Sequence, residues 1–254
     1  MRPKAEFALR NEERSGSHSG ATAPELHRLL RFIPKTNVTL WLPVGGVKPS
    51  PIPMSVSQLT LVSHGATEAQ RRAAFPIDES VLDHEIRKIT ELNWKMPPAA
   101  QVLSAPERRT QQTCLALGLG FTLTDGLRDC DYGRWRGRKI EQIQAEDQEG
   151  VLAWLSDPSA APHGGESIER LVGRAGTWME KRRAVKHTIA VTHPAVIRAA
   201  IVHALQIPAQ TFWRIDIPPS TVTDLRFNGR VWTLRCSGSS LMKLSHEEEE
   251  KTDI

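Results

Sequence analysis

Apolar and polar positions along this chain fall into two alternating patterns. Continuous apolar, β-branched runs at 58–63 (QLTLVS), 100–105 (AQVLSA) and 187–192 (HTIAVT) read as short buried strands. Between them, apolar positions recur at helical spacing. Segment 106–119 opens on Pro106, a residue tolerated in the first turn of a helix, and continues as one. In segment 166–183, Ile168, Leu171, Val172, Ala175 and Met179 share one face. Segment 194–206 is a third helix, again with proline at its start. Two strand-like runs near the end flank Asn228-Gly229, a strong hairpin signal. Strands alternating with helices predict an α/β fold in three layers: a mostly parallel central sheet flanked by helices, with an antiparallel pair at the end. No internal repeat is visible.

The ends depart from this pattern. Residues 1–53 are rich in Gly, Ser and Pro and form a flexible or irregular leader, within which ELHRLLRFI (25–33) has the pattern of a short amphipathic helix. Met54 opens the domain proper, expected over 54–240, and 241–254 is an acidic tail. Two origins for the leader stay open: a natural tail, or an extension ahead of an initiator at Met54.

Composition adds limits. The chain has 254 residues, 39% of them hydrophobic, enough for one ordinary core. Its formal charge of +4 is spread along the chain, which suits a small anionic substrate and gives no reason to expect a nucleic acid partner. Three cysteines without a CxxC spacing give neither a disulfide framework nor a zinc site, so the expectation is a reducing cytoplasm and no metal or other cofactor. No apolar run reaches the roughly 18 residues of a membrane helix, and no signal-peptide pattern opens the chain, so no membrane partner is expected.

The candidate chemistry sits where predicted strands hand over to helices. His64 follows the first strand, Arg109 lies in the first turns of the helix after the second, and His193 follows the third. Ligands of open α/β sheets bind at the carboxyl ends of strands, and helix N-termini there favour anions. Each residue alone has a commoner structural reading: a hydrogen-bonded histidine, a solvated arginine. Their repetition at successive junctions points instead to a site for a phosphate-like anion.

Five segments carry a family resemblance. They are LVSHGATEAQ (61–70), SAPERRTQQTC (104–114), LRDCDYGRWRG (127–137), PHGGES (162–167) and VTHPAVIRA (191–199). In this order they resemble the motifs of the histidine phosphatase superfamily, the phosphoglycerate mutase-like proteins, over roughly residues 57–235. His64, Gly65 and Thr67 match its first motif, in which Ser63 replaces an arginine and Ala66 and Gln70 also depart. Ser104, Pro106, Arg109, Gln112 and Thr113 match the second.

The resemblance implies that His64 attacks a phosphoryl group and carries it as phosphohistidine. Its other ring nitrogen is then expected to donate to backbone near the strand end. Arg109 would bind phosphate and His193 would contact the phosphoryl oxygens. Asp129 would be the proton donor in place of the family's glutamate, with Asp131 as a neighbouring alternative and pairing to Arg128 or Arg134 as its structural reading. Gly65 would let backbone approach the anion, with Thr67 beside it. Arg136 would add positive charge near the pocket, His163 is a weaker candidate beside it, and Glu166 and Ser167 would start a helix. Tyr132 and Trp135 fit core packing better than a pocket wall, and Arg198 reads as a structural helix residue.

Ser63 removes a charged fork, a loss of about 2–5 kcal/mol for a desolvated anion unless another cation fills the volume. Arg71, Arg72, Arg134 and Arg136 are the candidates. The expected function is therefore a metal-independent phosphomonoester hydrolase acting on a small phosphorylated substrate, with a homodimer admitted. Two alternatives stay open: a weakened pseudophosphatase that binds a phosphorylated ligand or partner, and a mutase-type phosphotransferase.

Overall fold

The computed structural model describes residues 56–92, 94 and 101–241. The expected leader, its helix at 25–33 and most of the acidic tail lie outside the described residues. The elements in chain order are β1 (Ser57–Ser63), α1 (Glu68–Arg71), α2 (Asp83–Glu91), β2 (Gln101–Ser104), α3 (Arg108–Ala116), β3 (Thr122–Leu123), α4 (Ile140–Glu146), α5 (Gln148–Ser156), α6 (Ile168–Glu180), β4 (His187–Thr192), α7 (Pro194–Leu205), β5 (Thr221–Phe227) and β6 (Trp232–Ser240).

They form a six-stranded sheet in the order β3-β2-β4-β1-β5-β6. β1, β2, β3 and β4 run parallel, whereas β5 pairs antiparallel with β1, and β6 with β5. The α/β expectation holds, including the antiparallel pair at the end. The hairpin closes as its sequence indicates, with Asn228 Oδ1 accepting the N–H groups of Arg230 and Val231.

Strand alternation divides the core into two layers. Leu59, Leu61, Ala190 and Leu225 pack against Leu171 and Met179 of α6 and Val196, Ile197 and Ala200 of α7. The neighbouring strand positions Val62, Ile189, Val191 and Val222 pack on the other face with Ile89 of α2 and Cys114 of α3. The predicted face of α6 is buried as expected, with Val172 at its partly exposed edge. A third cluster of Phe75, Trp135, Ile143, Val151 and Trp154 meets the first through the partly buried Tyr132 and Trp213.

The topology matters for function because β4 is inserted between β1 and β2. The carboxyl ends of β2, β4 and β1 therefore lie side by side. Ser63 is in register with Thr192, and Ser104 with Val191. Residues 64, 105–109 and 193 are thus delivered to one edge of the sheet.

Candidate active site

His64 leaves β1 buried, and its Nδ1 lies 2.8 Å from the carbonyl oxygen of Gly65. A carbonyl only accepts, so Nδ1 carries the proton and the Nε2 lone pair stays open. Burial, then the charges of His193 and Arg109, hold the ring well below its ordinary pKa, against the opposing Gly65 bond. His64 is therefore a neutral imidazole with one nitrogen free for chemistry.

Arg109 is buried in the first turns of α3. Its Nη1 donates to the Ile77 carbonyl at 2.7 Å, and its Nη2 to Asp129 Oδ2 at 2.5 Å. Asp129 thus pairs with Arg109, and neither Arg128 nor Arg134 is its partner; Arg134 pairs with Asp147. His193, fully buried at the N-cap of α7, stands edge-on to His64 with ring centroids 5.2 Å apart.

The nearest partner of His193 Nε2 is Glu107 Oε2 at 2.8 Å, while Nδ1 faces Asp129 Oδ2 at 3.4 Å, too long for a good hydrogen bond. The ring is thus turned to a carboxylate, where the resemblance implies phosphoryl oxygens. Glu107 Oε1 also accepts the backbone N–H of Asp129 at 2.9 Å. Burial raises the Glu107 carboxyl, but the His193 hydrogen bond, the His193 charge and the backbone N–H bonds outweigh it and bring the pKa to about 2.

A cleft of about 230 Å³ opens beside these groups. His64, Thr67, Gln70, Glu79, Arg109, Asp129, Tyr132 and Arg198 contribute to its lining. Thr67 also caps α1, where Gln70 reaches back to it in a capping box. Tyr132 is raised well above the ordinary phenol pKa, by burial first and then by the Asp129 charge, so its hydroxyl keeps its proton. Asp131 is exposed and lines a neighbouring depression of about 260 Å³ with Arg128 and Arg136, whereas Asp129 lines both.

Ser63 and Gly65 are buried outside this lining. The Ser63 hydroxyl lacks a hydrogen-bond partner among the described residues. Gly65 spends its N–H on Thr113 Oγ1, and a Cβ there would sit 2.7 Å from Val81 Cγ1. Its lack of a side chain serves packing between β1 and α2. None of the four arginines proposed to compensate for Ser63 lines the cleft: Arg71 is exposed and paired with Glu68, and Arg72 and Arg136 line other depressions.

The Asp129 loop is held from below. Gly165 lies where a Cβ would be 2.0 Å from the Asp131 carbonyl oxygen, so backbone packs on backbone. Glu166 N–H donates to that oxygen at 2.7 Å, and Arg134 N–H donates to the His163 carbonyl at 3.0 Å. His163 is buried, with Nδ1 accepting from Gly165 N–H, and stands outside the cleft lining. Ser167 caps α6.

Arg174 of α6 completes the support. It donates to the carbonyls of Gly126, Arg128 and Asp129 and forks onto Glu166 at 2.8 and 2.7 Å. Neither Arg174 nor Glu107 stands out in the sequence by its local context.

Residues 59–239 match the model of the histidine phosphatase superfamily (branch 1). The chain belongs to this superfamily. Among its relatives, a glucosyl-3-phosphoglycerate phosphatase of Mycolicibacterium vanbaalenii is 26% identical over 216 residues, covering 70% of this chain and 95% of that protein. A bifunctional protein of Mycobacterium tuberculosis is 24% identical over 190 residues, covering 67% of this chain; the match spans about half (50%) of that relative's length. The solved structure of a mycobacterial glucosyl-3-phosphoglycerate phosphatase with VO3 superposes with a TM-score of 0.65 at 23% identity, over 72% of this chain and 100% of that one. That likeness shows a shared fold.

Proposed function

We propose that this chain is a phosphomonoester hydrolase working through a phosphohistidine on His64. The observation that carries the reading is the state of His64: neutral, its Nδ1 proton committed to Gly65, and its ring in the wall of a cleft shared with Arg109 and Asp129. An unprotonated imidazole fixed beside a buried guanidinium is a nucleophile next to an anion clamp.

The steps follow from the groups present. The phosphomonoester enters beside Arg109 as its monoanion, takes Arg109 over from Asp129, and passes its acidic proton to the freed Asp129 carboxylate. The Nε2 lone pair of His64 bonds to phosphorus as the bond to the leaving oxygen breaks, and the Asp129 carboxyl gives that oxygen its proton. Water then attacks phosphorus and passes its proton to Asp129. The P–N bond breaks, His64 returns to its neutral state, and phosphate takes the Asp129 proton as it leaves, so that Asp129 pairs again with Arg109. Glu107 fixes both the His193 ring and the Asp129 backbone, with His193 Nδ1 facing Asp129 at 3.4 Å. All these groups come from one chain, so the chemistry asks for no second subunit.

Two further parts of the reading are proposals of the same kind. A small phosphorylated substrate suits the size of the cleft, which is below the roughly 300–1,000 Å³ of drug-sized sites. A reducing cytoplasm suits Cys114, Cys130 and Cys236, all free thiols. Among the described residues no helix is long and apolar enough to cross a membrane.

The test is to incubate the protein with an aryl phosphate in the presence of a chelator, quench, and map acid-labile phosphate. Turnover with label on His64, and neither in His64→Ala, is the expected result. Turnover without a phosphohistidine defeats the mechanism. Absence of both in wild type, with both gained by Ser63→Arg, establishes the phospholigand-binding alternative.

A further inference from the structure

Thr113 joins the two groups at the centre of the site. It is fully buried in α3, one turn beyond Arg109. Its hydroxyl donates to the Arg109 carbonyl at 2.7 Å, a back-bond that helical threonines commonly make. The same oxygen accepts the N–H of Gly65 at 3.0 Å, across 48 positions of chain. The helix has no use for that second bond. A hydroxyl whose proton is committed to one carbonyl offers its lone pairs to an N–H, so each bond fixes the direction of the other.

Gly65 is the residue where such a pin matters. Its carbonyl accepts the Nδ1 proton of His64 at 2.8 Å and so decides which ring nitrogen is bare. Glycine has the widest backbone freedom of any residue. A side chain cannot stiffen this position, because a Cβ would lie 2.7 Å from Val81 Cγ1 and 3.0 Å from Ile89 Cδ1. The stiffness comes from outside. Thr113 holds the Gly65 N–H, and Ser220 N–H donates to the His64 carbonyl at 3.2 Å, on the opposite side of the same peptide group. Beyond it, Leu82 N–H donates to the Ala66 carbonyl at 2.9 Å. Of these three pins, Thr113 alone acts through a side chain.

Resting on the hydrolase reading above, we propose that Thr113 is a positioning residue for the nucleophile. Its hydroxyl holds the Gly65 peptide in the orientation that keeps the His64 proton on Nδ1 and leaves Nε2 bare. Without the hydroxyl the Gly65 peptide turns, Nδ1 loses its acceptor, and the proton is shared between the two nitrogens. No contact with the substrate is lost, so the cost falls on phosphoryl transfer and leaves binding intact.

The tautomer of His64 is read near pH 7.5 by two-bond proton–nitrogen NMR, with the signal assigned by its loss in His64→Ala. Wild type should show a protonated Nδ1 and a bare Nε2. Thr113→Val, which keeps the shape and removes the hydroxyl, should give a mixture of tautomers. It should also lower kcat on 4-nitrophenyl phosphate about 10- to 100-fold and leave KM within about threefold. Thr113→Ser restores the hydroxyl and should recover the single tautomer and most of kcat. Thr110→Val is the matched control: this equally buried α3 hydroxyl donates to the carbonyls of Ala105 and Glu107 at 2.9 and 2.7 Å, and its loss should leave the His64 tautomer unchanged. Hydrogen exchange of the Gly65 amide needs no variant and should be strongly protected in wild type. A mixed tautomer in Thr113→Val, in a chain whose wild type shows no turnover, upholds the positioning role and defeats only the hydrolase reading. A fast-exchanging Gly65 amide, an unchanged tautomer in Thr113→Val, an equal change in Thr110→Val, or no recovery in Thr113→Ser overturns the proposal.

Discussion

Glu107 and His193 are 86 positions apart in the chain and share a 2.8 Å contact, with the other oxygen of the same carboxylate holding the backbone of Asp129. One acidic side chain thus ties the second histidine of the site to the candidate proton donor. The contact also occupies His193 Nε2, which leaves Arg109 as the group proposed to meet the anion.

The Glu107 pKa of about 2 sets a pH dependence. The folded value lies below the ordinary 4.5, so the contribution to stability is present above about pH 4.5 and is lost as the pH falls toward 2. A shift of this size corresponds to on the order of 3 kcal/mol when fully expressed. Glu107→Gln should lower stability near pH 7 by about 1–3 kcal/mol and remove that part of the acid slope. Denaturant unfolding of both proteins from pH 7 to pH 2 measures it, and parallel curves would refute the assignment.

Arg174 makes the second prediction. Its pair with Glu166 is buried, and its remaining donors are spent on three carbonyls of the Asp129 loop. Replacing it with methionine keeps much of the volume but strands Glu166. The expected cost is about 3–5 kcal/mol, with a fall in kcat larger than any change in KM, because the loop carries Asp129 and leaves Arg109 untouched. Unaltered unfolding would show that the fork contributes nothing to the loop.

The contrast among these residues explains what was legible in the sequence. His64, Arg109 and His193 could be read because each stands just past an apolar run, where strand ends position ligand groups. Glu107 sits at the N-cap of α3 and looks locally like an ordinary acidic helix start. Its role exists only because β4 inserts beside β2 and brings His193 across. Arg174 occupies a polar position of an amphipathic helix, and its partners lie 45 to 48 residues upstream or, for Glu166, eight residues back, just ahead of the helix. Arg198 reads as a helix residue because the cleft wall is assembled from α7, α1 and loops that no local pattern joins. β3 escaped notice for a different reason: Thr122–Leu123 is two residues long and exposed, so it leaves no hydrophobic signature.

His64 gives the third prediction. A ring held neutral by burial, against the usual protonation near pH 6.5, should show no titration of its Cε1 proton between pH 7.5 and 5.5 by NMR. The silent resonance is assigned by its loss in His64→Ala. Because the unfolded chain takes up this proton and the folded one does not, the group removes stability as the pH falls below about 6.5. A titration centred near 6.5 would mean that His64 is solvated and that the nucleophile is not pre-set.

The last prediction separates the two aspartates. Asp129 lines the His64 cleft and touches Arg109, whereas Asp131 is exposed and uses its Oδ1 to accept the Gly133 N–H. Asp129→Asn should lower kcat about 10²- to 10⁴-fold on an alkyl phosphate, the range expected when a general acid is removed. The loss should shrink on 4-nitrophenyl phosphate, whose leaving group needs no proton, as long as phosphoryl transfer to His64 limits the rate. Asp131→Asn retains an amide oxygen for the Gly133 turn and should stay within about threefold of wild type, the range of an ordinary exposed substitution. Equal effects of the two variants, or a loss in Asp129→Asn that ignores the leaving group, would remove Asp129 as the proton donor. The Asp129 backbone beside the cleft is fixed on both sides, since Glu107 accepts its N–H and Arg174 donates to its carbonyl.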